Sequence, residues 1–406
     1  MSDCRVCGGG STTELLAFGS QPICNRFLSH RDEPQAMFPL AIGQCPRCGT
    51  VQRSAGPPAD ELRPRVNWIT YQEPEQHLDE LADRLVALPG IGRDSQICGM
   101  SFKDDSLLQR LRERGVQRAW RIDVQKDLGV AEAGAGVETV QARINGETGR
   151  ALAAAHGPSD VILARHIFEH VYDLAGFMDG VRALASPRAR LVLEVPDCER
   201  SLVLCDYTMV WEEHMLYLTQ ETFRSSADAS GVELEQLLVY PYPLERSLVG
   251  IGRLQARRAP GPWPAEALHR ERDRAQVYAS RFGEIRERVK AILAGCRRER
   301  GPVAMLGAGH LGAMFINAFE LHENIACVVD DHPSKRGLFM PGSGLAVVGS
   351  EVLVAGEVKL CLLSVNPGRE EGVLSHHHAF VEQGGEFASI FPGSRLYLGQ
   401  LMGATR

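Results

Sequence analysis

The sequence lacks an apolar run long enough to cross a membrane. A membrane-spanning helix needs about 20 consecutive, predominantly apolar residues, and in this chain of 406 residues charged or polar residues interrupt every apolar stretch sooner. The first residues, MSDC, also lack the basic segment and the apolar core of a secretory signal peptide. We therefore predict a cytoplasmic protein that has no membrane partner.

An excess of positive charge is missing as well. The chain carries 44 Lys and Arg residues against 51 Asp and Glu residues, which gives a formal net charge of −7 at pH 7. A nucleic-acid-binding surface needs a concentration of basic residues, so we predict no nucleic-acid partner. The remaining composition is 44% hydrophobic and 23% charged residues. It is typical of a globular protein, and a chain of this length divides into two or three domains.

A disulfide framework is not expected either, because the chain has an odd number of cysteines, 11, and no sign of secretion. Four of these cysteines form two Cys-x-x-Cys pairs, Cys4 with Cys7 and Cys45 with Cys48. Each pair can supply two thiolates from a tight turn, and four thiolates close a tetrahedral zinc site. Such a site has no open coordination position, so we predict a structural zinc ion. The alternative is four unrelated thiols.

The middle of the chain alternates between apolar strands and amphipathic helices. The predicted elements are helices at residues 75–88, 107–114 and 174–181, and strands at residues 96–99, 120–123, 161–164 and 191–195. Pro187 is expected to break the chain before the last strand, and Pro196 to end it. Alternation of this kind predicts a mostly parallel sheet in an α/β fold.

The residues that follow the first of these strands are candidates for cofactor binding. Residues 100–106, MSFKDDS, connect that strand to a helix, and doubly wound folds bind nucleotide-like cofactors at this position. Asp123 lies at the end of the second strand, where an acidic side chain usually contacts ribose hydroxyl groups.

A second candidate site is the charged and aromatic loop VWEEHMLYLT at residues 210–219, which follows the strand at 191–195. His214 is the side chain in this loop whose unperturbed pKa suits proton transfer near neutral pH. Glu213 is its neighbour and would orient it or raise its basicity. The alternative is a helix N-terminus in which the acidic residues complement the helix dipole.

The last third of the chain contains a dinucleotide-binding pattern. A charged helix or helix pair is predicted at residues 266–300, followed by a strand and GAGHLG at residues 307–312, with Asp330 about one helix later. This is the G-x-G-x-x-G fingerprint with its acidic partner, which by itself favours a dinucleotide. The three histidines at 376–378 could bind a metal, but a solvated helix end is the alternative that we favour.

Four blocks of the sequence resemble the S-adenosylmethionine-dependent sugar C-methyltransferase family. They are the four-cysteine module, ARHIFEH at 164–170, EVP at 194–196 with YTMVWEEHMLYLT at 207–219, and GAGH at 307–310 with DDHPSKRG at 330–337. The resemblance implies an N-terminal zinc-binding module at residues 1–72, a class I methyltransferase domain at 73–256 and a Rossmann-like C-terminal domain at 257–406. In this family the C-terminal domain helps to enclose the sugar nucleotide without using a nicotinamide.

The resemblance also implies a reaction and its catalytic residues. The family methylates nucleotide-linked keto-deoxysugars at carbon, after a base has removed a proton and generated an enolate. By its match to the family loop, His214 is expected to be the base and Glu213 to orient it. Tyr217 is expected to support the loop, and Tyr71 or His166 to face the acceptor.

The cofactor implied by the resemblance is S-adenosylmethionine. We expect it to lie over Gly99, Ser101, Lys103 and Asp104, with its ribose near Asp123 and its adenine against residues 138–141; His166 is a further candidate contact. The sequence departs from the family in two places. The family's glycine-rich cofactor loop keeps only its first glycine, and Trp211 and Glu212 replace a tyrosine and a histidine, so the acceptor can differ from the usual one.

Two alternatives to a sugar C-methyltransferase stay open on sequence alone. The first is an NAD-dependent oxidoreductase or epimerase that uses residues 307–312. The second is a member of the family that binds a sugar nucleotide but has lost the use of S-adenosylmethionine.

Overall fold

The computed structural model of the chain describes residues 3–66, 73–131, 135–256 and 263–403. In these residues the strands form three sheets, of four, six and five strands. The predicted α/β architecture, with a small N-terminal module and two Rossmann-like domains, is confirmed. The predicted domain boundaries at 72 and 256 adjoin residues outside the described ranges and stay predictions.

The secondary-structure elements are numbered along the chain. The strands are β1 (Thr13–Pro22), β2 (Met37–Gln44), β3 (Val51–Ala55), β4 (Gln96–Gly99), β5 (Arg118–Arg121), β6 (Ser159–Arg165), β7 (Ala185–Asp197), β8 (Leu216–Tyr217), β9 (Val232–Tyr240), β10 (Arg246–Leu254), β11 (Val303–Leu306), β12 (Cys327–Val329), β13 (Val347–Val348), β14 (Leu360–Leu363) and β15 (Glu386–Ser389). The α-helices are α1 (Ala59–Leu62), α2 (Leu78–Val86), α3 (Asp105–Glu113), α4 (Val137–Arg143), α5 (Gly146–His156), α6 (Leu174–Leu184), α7 (Glu199–Leu204), α8 (Gln220–Ala229), α9 (Ala265–Arg300), α10 (His310–Ala318), α11 (Glu351–Val354), α12 (Glu370–His376) and α13 (His378–Glu382).

The first sheet combines the N-terminal module with a distant part of the chain. Its order is β1-β2-β3-β8, and all its pairs are antiparallel. Strand β8 belongs to the loop at residues 210–219, and it pairs Tyr217 with Val51 and Leu216 with Gln52. The loop that carries the predicted base is therefore attached by backbone hydrogen bonds to the cysteine-rich module.

The second sheet has the order β5-β4-β6-β7-β10-β9, in which β5, β4, β6 and β7 are parallel and β10 is antiparallel to both of its neighbours. Leucines at helical spacing on α2 and α3 bury one face of this sheet, and α4, α5 and α6 cover the other face. The chain reverses its direction of winding between β4 and β6. This is the position where a doubly wound sheet opens a crevice at its carboxyl edge.

The predicted start and end of the strand at 191–195 and the predicted start of the helix at 75–88 were wrong. Strand β7 runs from Ala185 to Asp197 and includes both Pro187 and Pro196. Proline is tolerated where no ladder bond is needed. The pairing with β6 jumps from Ala185 to Arg190, and it ends at Glu194. The predicted helix at 75–88 begins only at Leu78.

The third sheet is wholly parallel, in the order β13-β12-β11-β14-β15. The charged segment before it is one helix, α9, of 36 residues, so the helix-pair alternative was wrong. Tyr278 and Phe282 on α9 pack against Phe18 of β1 and Tyr207. This helix therefore joins the C-terminal domain to the first sheet and to the base loop. Residues 257–262, which precede this helix, lie outside the described residues.

The four predicted zinc ligands meet at the edge of the first sheet. Their sulfur atoms all lie within 4.8 Å of one another. The Sγ atoms of Cys4 and Cys48 are 3.6 Å apart, as are those of Cys7 and Cys45. Zinc–sulfur bonds of about 2.3 Å in a tetrahedron place sulfurs about 3.8 Å apart, so the four thiols fit one zinc ion.

Replacing Cys45 by serine removes one thiolate from this set, and we expect the protein to lose one zinc equivalent. The folded yield should fall, because a structural metal contributes to folding. Metal analysis and thermal unfolding of the purified variant check this. Cys296→Ser, which changes a half-buried thiol of α9, is the control and should keep both the metal and the yield. Equal metal content in the wild type and Cys45→Ser would contradict the site.

Candidate active site

A cleft opens at the carboxyl edge of the second sheet, above β4, β6 and β7. The segments that follow these strands line it, together with residues of the N-terminal module and of the base loop. Its lining includes Asn25, Arg65, Glu73, Phe102, Lys103, Glu138, His166, Glu169, His170, Cys198, Met209, Trp211, Glu213, His214 and Glu245. The site is therefore built from residues that are far apart in sequence, at the crevice expected for a doubly wound fold.

Glu194, near the end of β7, organises the floor of this cleft. Its carboxylate is fully buried and accepts hydrogen bonds from Arg165 Nε at 2.5 Å and Ser247 Oγ at 2.8 Å. His77 Nε2 and His166 Nε2 lie 3.1 Å and 3.3 Å from its Oε1 atom. Burial alone would raise the pKa of Glu194, but these cationic and hydrogen-bonding partners hold it well below its usual range. The carboxylate is thus charged, and it fixes the residues around it.

His166 follows β6 and adopts a left-handed backbone conformation with φ of 48°. Its amide N–H donates to the carbonyl oxygen of Glu194 at 2.8 Å, which stabilises this unusual conformation. Burial would lower the pKa of the imidazole, but Glu73, Glu169 and Glu194 raise it to about 10. His166 is therefore a cation in the cleft at neutral pH.

His214 has the opposite electrostatic character. Burial, together with the nearby histidines 170, 310 and 166, holds its pKa well below the usual value. Its ring lies at 4.6 Å from that of His170 and at 5.5 Å from that of Trp211, measured between centroids. At neutral pH His214 is consequently an uncharged imidazole, which is the form that accepts a proton.

Glu213 and Tyr217, the two residues predicted to assist His214, differ in their contacts with the loop and the cleft. No hydrogen bond joins Glu213 to His214 among the described residues; the Glu213 carboxyl instead accepts one from Asn25 Nδ2 at 3.3 Å. Tyr217 is fully buried, and its hydroxyl donates to the carbonyl oxygen of Trp211 at 2.9 Å. Tyr217 thus holds the loop from behind and is absent from the cleft lining. Tyr71 lies outside the described residues.

Several carboxyl groups surround the two histidines. Glu138 contacts His170 Nδ1 at 2.6 Å. Glu169 is 1% exposed, and both of its carboxyl oxygens lack a hydrogen-bond partner, although His166 Nδ1 lies 3.5 Å away. Burial, with the neighbouring charges of Glu138 and Glu212, raises the pKa of Glu213 to about 8. The cleft is therefore rich in acidic groups and suits a ligand with positive charge.

The predicted cofactor contacts are only partly at the surface of the cleft. Lys103 and His166 line it, and Lys103 Nζ pairs with Glu73 at 2.6 Å. Ser101 caps the turn Phe102–Asp104, and the fully buried Asp104 carboxylate accepts the amide N–H groups of Ser101 and Arg165. These two side chains stabilise the loop from inside, and neither lines the cleft.

Gly99 and Asp123 also serve the local fold. A Cβ atom on Gly99 would lie 2.8 Å from the Asp104 and Leu108 side chains, so close packing inside the loop requires the glycine. Asp123 Oδ1 accepts the amide N–H groups of Gln125 and Lys126 at 2.9 Å each. The expected adenine segment, residues 138–141, lies in α4, and of these four residues Glu138 lines the cleft, beside Gly136 and Val137.

Four acidic residues and one histidine of this site were not predicted from the sequence to be site residues: Glu73, Glu169, Glu194, Glu245 and His170. Two of them, Glu169 and His170, stand inside the quoted block ARHIFEH. Glu194 stands in the quoted block EVP, but nothing in its apolar run indicated that distant residues such as Arg165 and Ser247 would surround its charge. Nothing in the sequence near Glu245 indicated that it faces the cleft.

A second cleft adjoins the first at the N-terminus of α10. It is lined by Gly309, His310, Leu311, Ser364 and Asn366, and it shares Glu73, Trp211 and Glu245 with the main cleft. The acidic residue of the dinucleotide pattern, Asp330, is already engaged, because its carboxylate accepts a hydrogen bond from Ala308 N–H and pairs with Lys335 at 2.8 Å.

The histidines at 376–378 lie at the junction of α12 and α13, and in the described chain they belong to no cluster of potential metal ligands.

Glu245 connects the two clefts, and its titration should be visible in stability. Burial, together with Glu73, raises its pKa to about 8. The folded protein therefore binds a proton that the unfolded chain releases near its ordinary pKa, and stability falls as pH rises through this window up to about 8. We expect Glu245→Gln to raise the melting temperature at pH 9 and to leave it nearly unchanged at pH 5.

Thermal unfolding of the wild type and Glu245→Gln at the two pH values measures this difference. Glu14→Gln, which alters an exposed carboxylate of β1, is the matched control and should shift neither value. A Glu245→Gln effect that is equal at pH 5 and pH 9 would refute the raised pKa.

Three family models match the chain in the order of its sheets. A model of a zinc binding domain matches residues 4–62, a methyltransferase domain matches residues 67–237, and a C-methyltransferase C-terminal domain matches residues 265–392. The last match includes the GAGHLG turn. This portion of the chain is thus assigned to methyltransferases, although its sequence pattern is typical of dinucleotide-binding proteins.

One known protein is similar to the chain over its full length, and solved structures are similar to part of it. The C-methyltransferase NovU of Streptomyces niveus is 24% identical over 410 residues, which cover 98% of this chain and 97% of that protein. Among solved structures, a 1,6-didemethyltoxoflavin N1-methyltransferase of Burkholderia thailandensis, with its substrate and S-adenosylhomocysteine bound, is 13% identical. Its match covers 45% of this chain and 79% of that one, with a TM-score of 0.30.

No described helix combines the length and the apolar character that crossing a bilayer requires. The three matched domains span almost the whole chain, and the full-length similarity to NovU preserves their order. The chain is a methyltransferase that combines a zinc-binding domain, a methyltransferase domain and a C-methyltransferase C-terminal domain.

Proposed function

We propose that the protein transfers a methyl group from S-adenosylmethionine to a carbon atom next to a carbonyl group of a small-molecule acceptor. The observation that carries this proposal is the pairing of a neutral imidazole, His214, with a cationic one, His166, in one acidic cleft. Removing a proton beside a carbonyl group needs an unprotonated base, and a positive group stabilises the oxygen that becomes negative.

The cleft fits a cationic methyl donor. Glu169 lines the cleft, and its two carboxyl oxygens are buried without hydrogen-bond donors. Buried, unpaired carboxylates are costly, and a positively charged ligand compensates them. When bound, S-adenosylmethionine supplies an electrophilic methyl group on a positive sulfur. Lys103 and the backbone after β4 form the wall expected to contact it.

The remaining steps belong to residues of the chain. His214 removes the proton from the acceptor carbon, and His166 donates a hydrogen bond to the oxyanion of the enolate. Glu194 keeps His166 charged and in place, and Tyr217 holds the loop of the base. The carbon with its new electron pair then takes the methyl group.

The acceptor that we propose is a nucleotide-linked keto-deoxysugar, with its sugar in the main cleft and its nucleotide toward the second cleft. The first residues of α10, a helix of nine residues, line that second cleft, and a helix N-terminus favours a phosphate group. Of the two departures from the family loop, Trp211 alone lines the clefts, whereas Glu212 turns away from both. Trp211 is therefore the residue expected to alter acceptor choice.

His214→Asn tests the base. Asparagine keeps a polar side chain but cannot take the proton, so turnover should fall at least about a hundredfold, while affinity for S-adenosylhomocysteine stays nearly unchanged. Steady-state kinetics and calorimetric titration measure the two quantities. His378→Asn, at an exposed helix end, is the control. Near-normal turnover in His214→Asn would move the base to another residue, and weaker binding alone would make His214 a binding residue.

The cofactor is tested by titrating the wild type in parallel with S-adenosylhomocysteine, NAD and NADP. We expect binding heat and a rise in melting temperature with S-adenosylhomocysteine only, because Asp330 is engaged by Ala308 and Lys335 and is not free for a ribose. A response to NAD alone would instead support an oxidoreductase that uses residues 307–312. No response to S-adenosylhomocysteine at millimolar concentration would mean that the chain keeps the fold without the cofactor.

A further inference from the structure

Three buried side chains from three parts of the chain meet behind the base loop. Cys24 follows β1 in the N-terminal module, Glu212 belongs to the loop, and His310 is the first residue of α10. Their exposures are 4%, 2% and 4%, and one sulfur, one carboxyl oxygen and one ring nitrogen lie within 4.8 Å of one another. This cluster is separate from the four-cysteine site, with which it shares no residue.

The charge of Glu212 is not compensated inside this cluster. Its Oε1 atom accepts the amide N–H of Cys24 at 2.6 Å, but its Oε2 atom is buried without a hydrogen-bond donor. The Nδ1 atom of His310 lies 3.3 Å from Oε2. The Nε2 atom of His310 is likewise buried without a hydrogen-bond partner. The guanidinium of Arg53 contacts only the backbone carbonyl of Glu212. A buried carboxylate in this situation is unfavourable unless a cation joins it.

Sulfur, carboxylate oxygen and imidazole nitrogen are the three ligand types that zinc uses in proteins. Ligand bonds of about 2.1 Å in a tetrahedron place oxygen and nitrogen about 3.4 Å apart, close to the 3.3 Å between Glu212 Oε2 and His310 Nδ1. One thiolate and one carboxylate would neutralise a divalent ion, so the filled site would carry no net charge in its buried surroundings.

We propose that Cys24, Glu212 and His310 bind a second zinc ion, with a water molecule as the fourth ligand. The ion would join the N-terminal module, the base loop and the C-terminal domain at one point. Trp211 stacks on His310 with 3.9 Å between ring centroids, and it stands beside Glu212 in the loop. The metal would thus position the loop that carries His214, without touching the reacting atoms. Binding is independent of whether S-adenosylmethionine is the methyl donor.

Metal content of the full-length wild type tests the proposal directly. After zinc loading and gel filtration, plasma mass spectrometry should find two zinc ions per chain. Cys24→Ser and Glu212→Gln should each retain one. Cys361→Ser, which changes a buried thiol of β14 outside the cluster, is the control and should retain two. In the cobalt-substituted protein, Cys24→Ser should lose the charge-transfer absorption of one thiolate.

The wild type decides the question even if a variant fails to fold. One zinc per chain in the wild type, lost in Cys45→Ser, would overturn the second site and leave Glu212 and His310 as a plain buried contact. Two zinc ions in Cys24→Ser would equally overturn the ligand assignment. A second equivalent that is lost during gel filtration would count as adventitious and against the proposal.

Discussion

The buried carboxylate of Glu194 is the interaction on which the cleft depends. It lies near the end of the central strand β7, between β6 and β10. Arg165 compensates its charge, with 2.5 Å between Arg165 Nε and the carboxylate. A buried ion pair stabilises a structure only when its other hydrogen-bonding groups are satisfied. Ser247 donates a hydrogen bond to Glu194, and ring nitrogens of His77 and His166 lie 3.1 Å and 3.3 Å from its carboxylate. Those contacts set the shape of the cleft floor. Loss of this carboxylate would leave Arg165 as an uncompensated buried cation.

The same carboxylate also separates the roles of two histidines. His166 lies beside Glu194, Glu73 and Glu169 and is held as a cation. His214 faces other histidines and stays neutral. Two imidazoles with the same intrinsic chemistry thus acquire the opposite charge states that proton abstraction and oxyanion stabilisation require. Both side chains lie in the same cleft. The difference in their charge therefore arises from the residues that surround each ring.

The loop at residues 210–219 is held from three sides. Strand β8 attaches it to the N-terminal sheet, the Tyr217 hydroxyl supports it from below, and Trp211 stacks on His310 of the C-terminal domain. A base must be positioned within a fraction of an ångström to act efficiently. The zinc-binding module, although remote from the chemistry in sequence, therefore has a direct structural connection to it.

Much of the architecture could be predicted from local patterns. The spacing of Cys4, Cys7, Cys45 and Cys48, the alternation of strands and helices and the glycine turn at 307–312 are properties of short segments, and the structure reproduces each of them. The motif around His214 was equally visible. Errors arose where a residue's neighbours come from elsewhere in the chain, as with the two prolines of β7, neither of which pairs with β6.

The sequence by itself determined the module order, the candidate metal ligands and the loop of the base, because cysteine spacing, hydrophobic periodicity and motif similarity are local. Only the tertiary structure decided how the site is charged. Glu169 and Glu245 line the cleft, Asp104 turns inward to cap its own loop, and Glu212 faces Cys24 and His310. A pKa depends on burial and on charges a few ångströms away. Those neighbours are set by packing between segments up to hundreds of residues apart, which no local pattern contains.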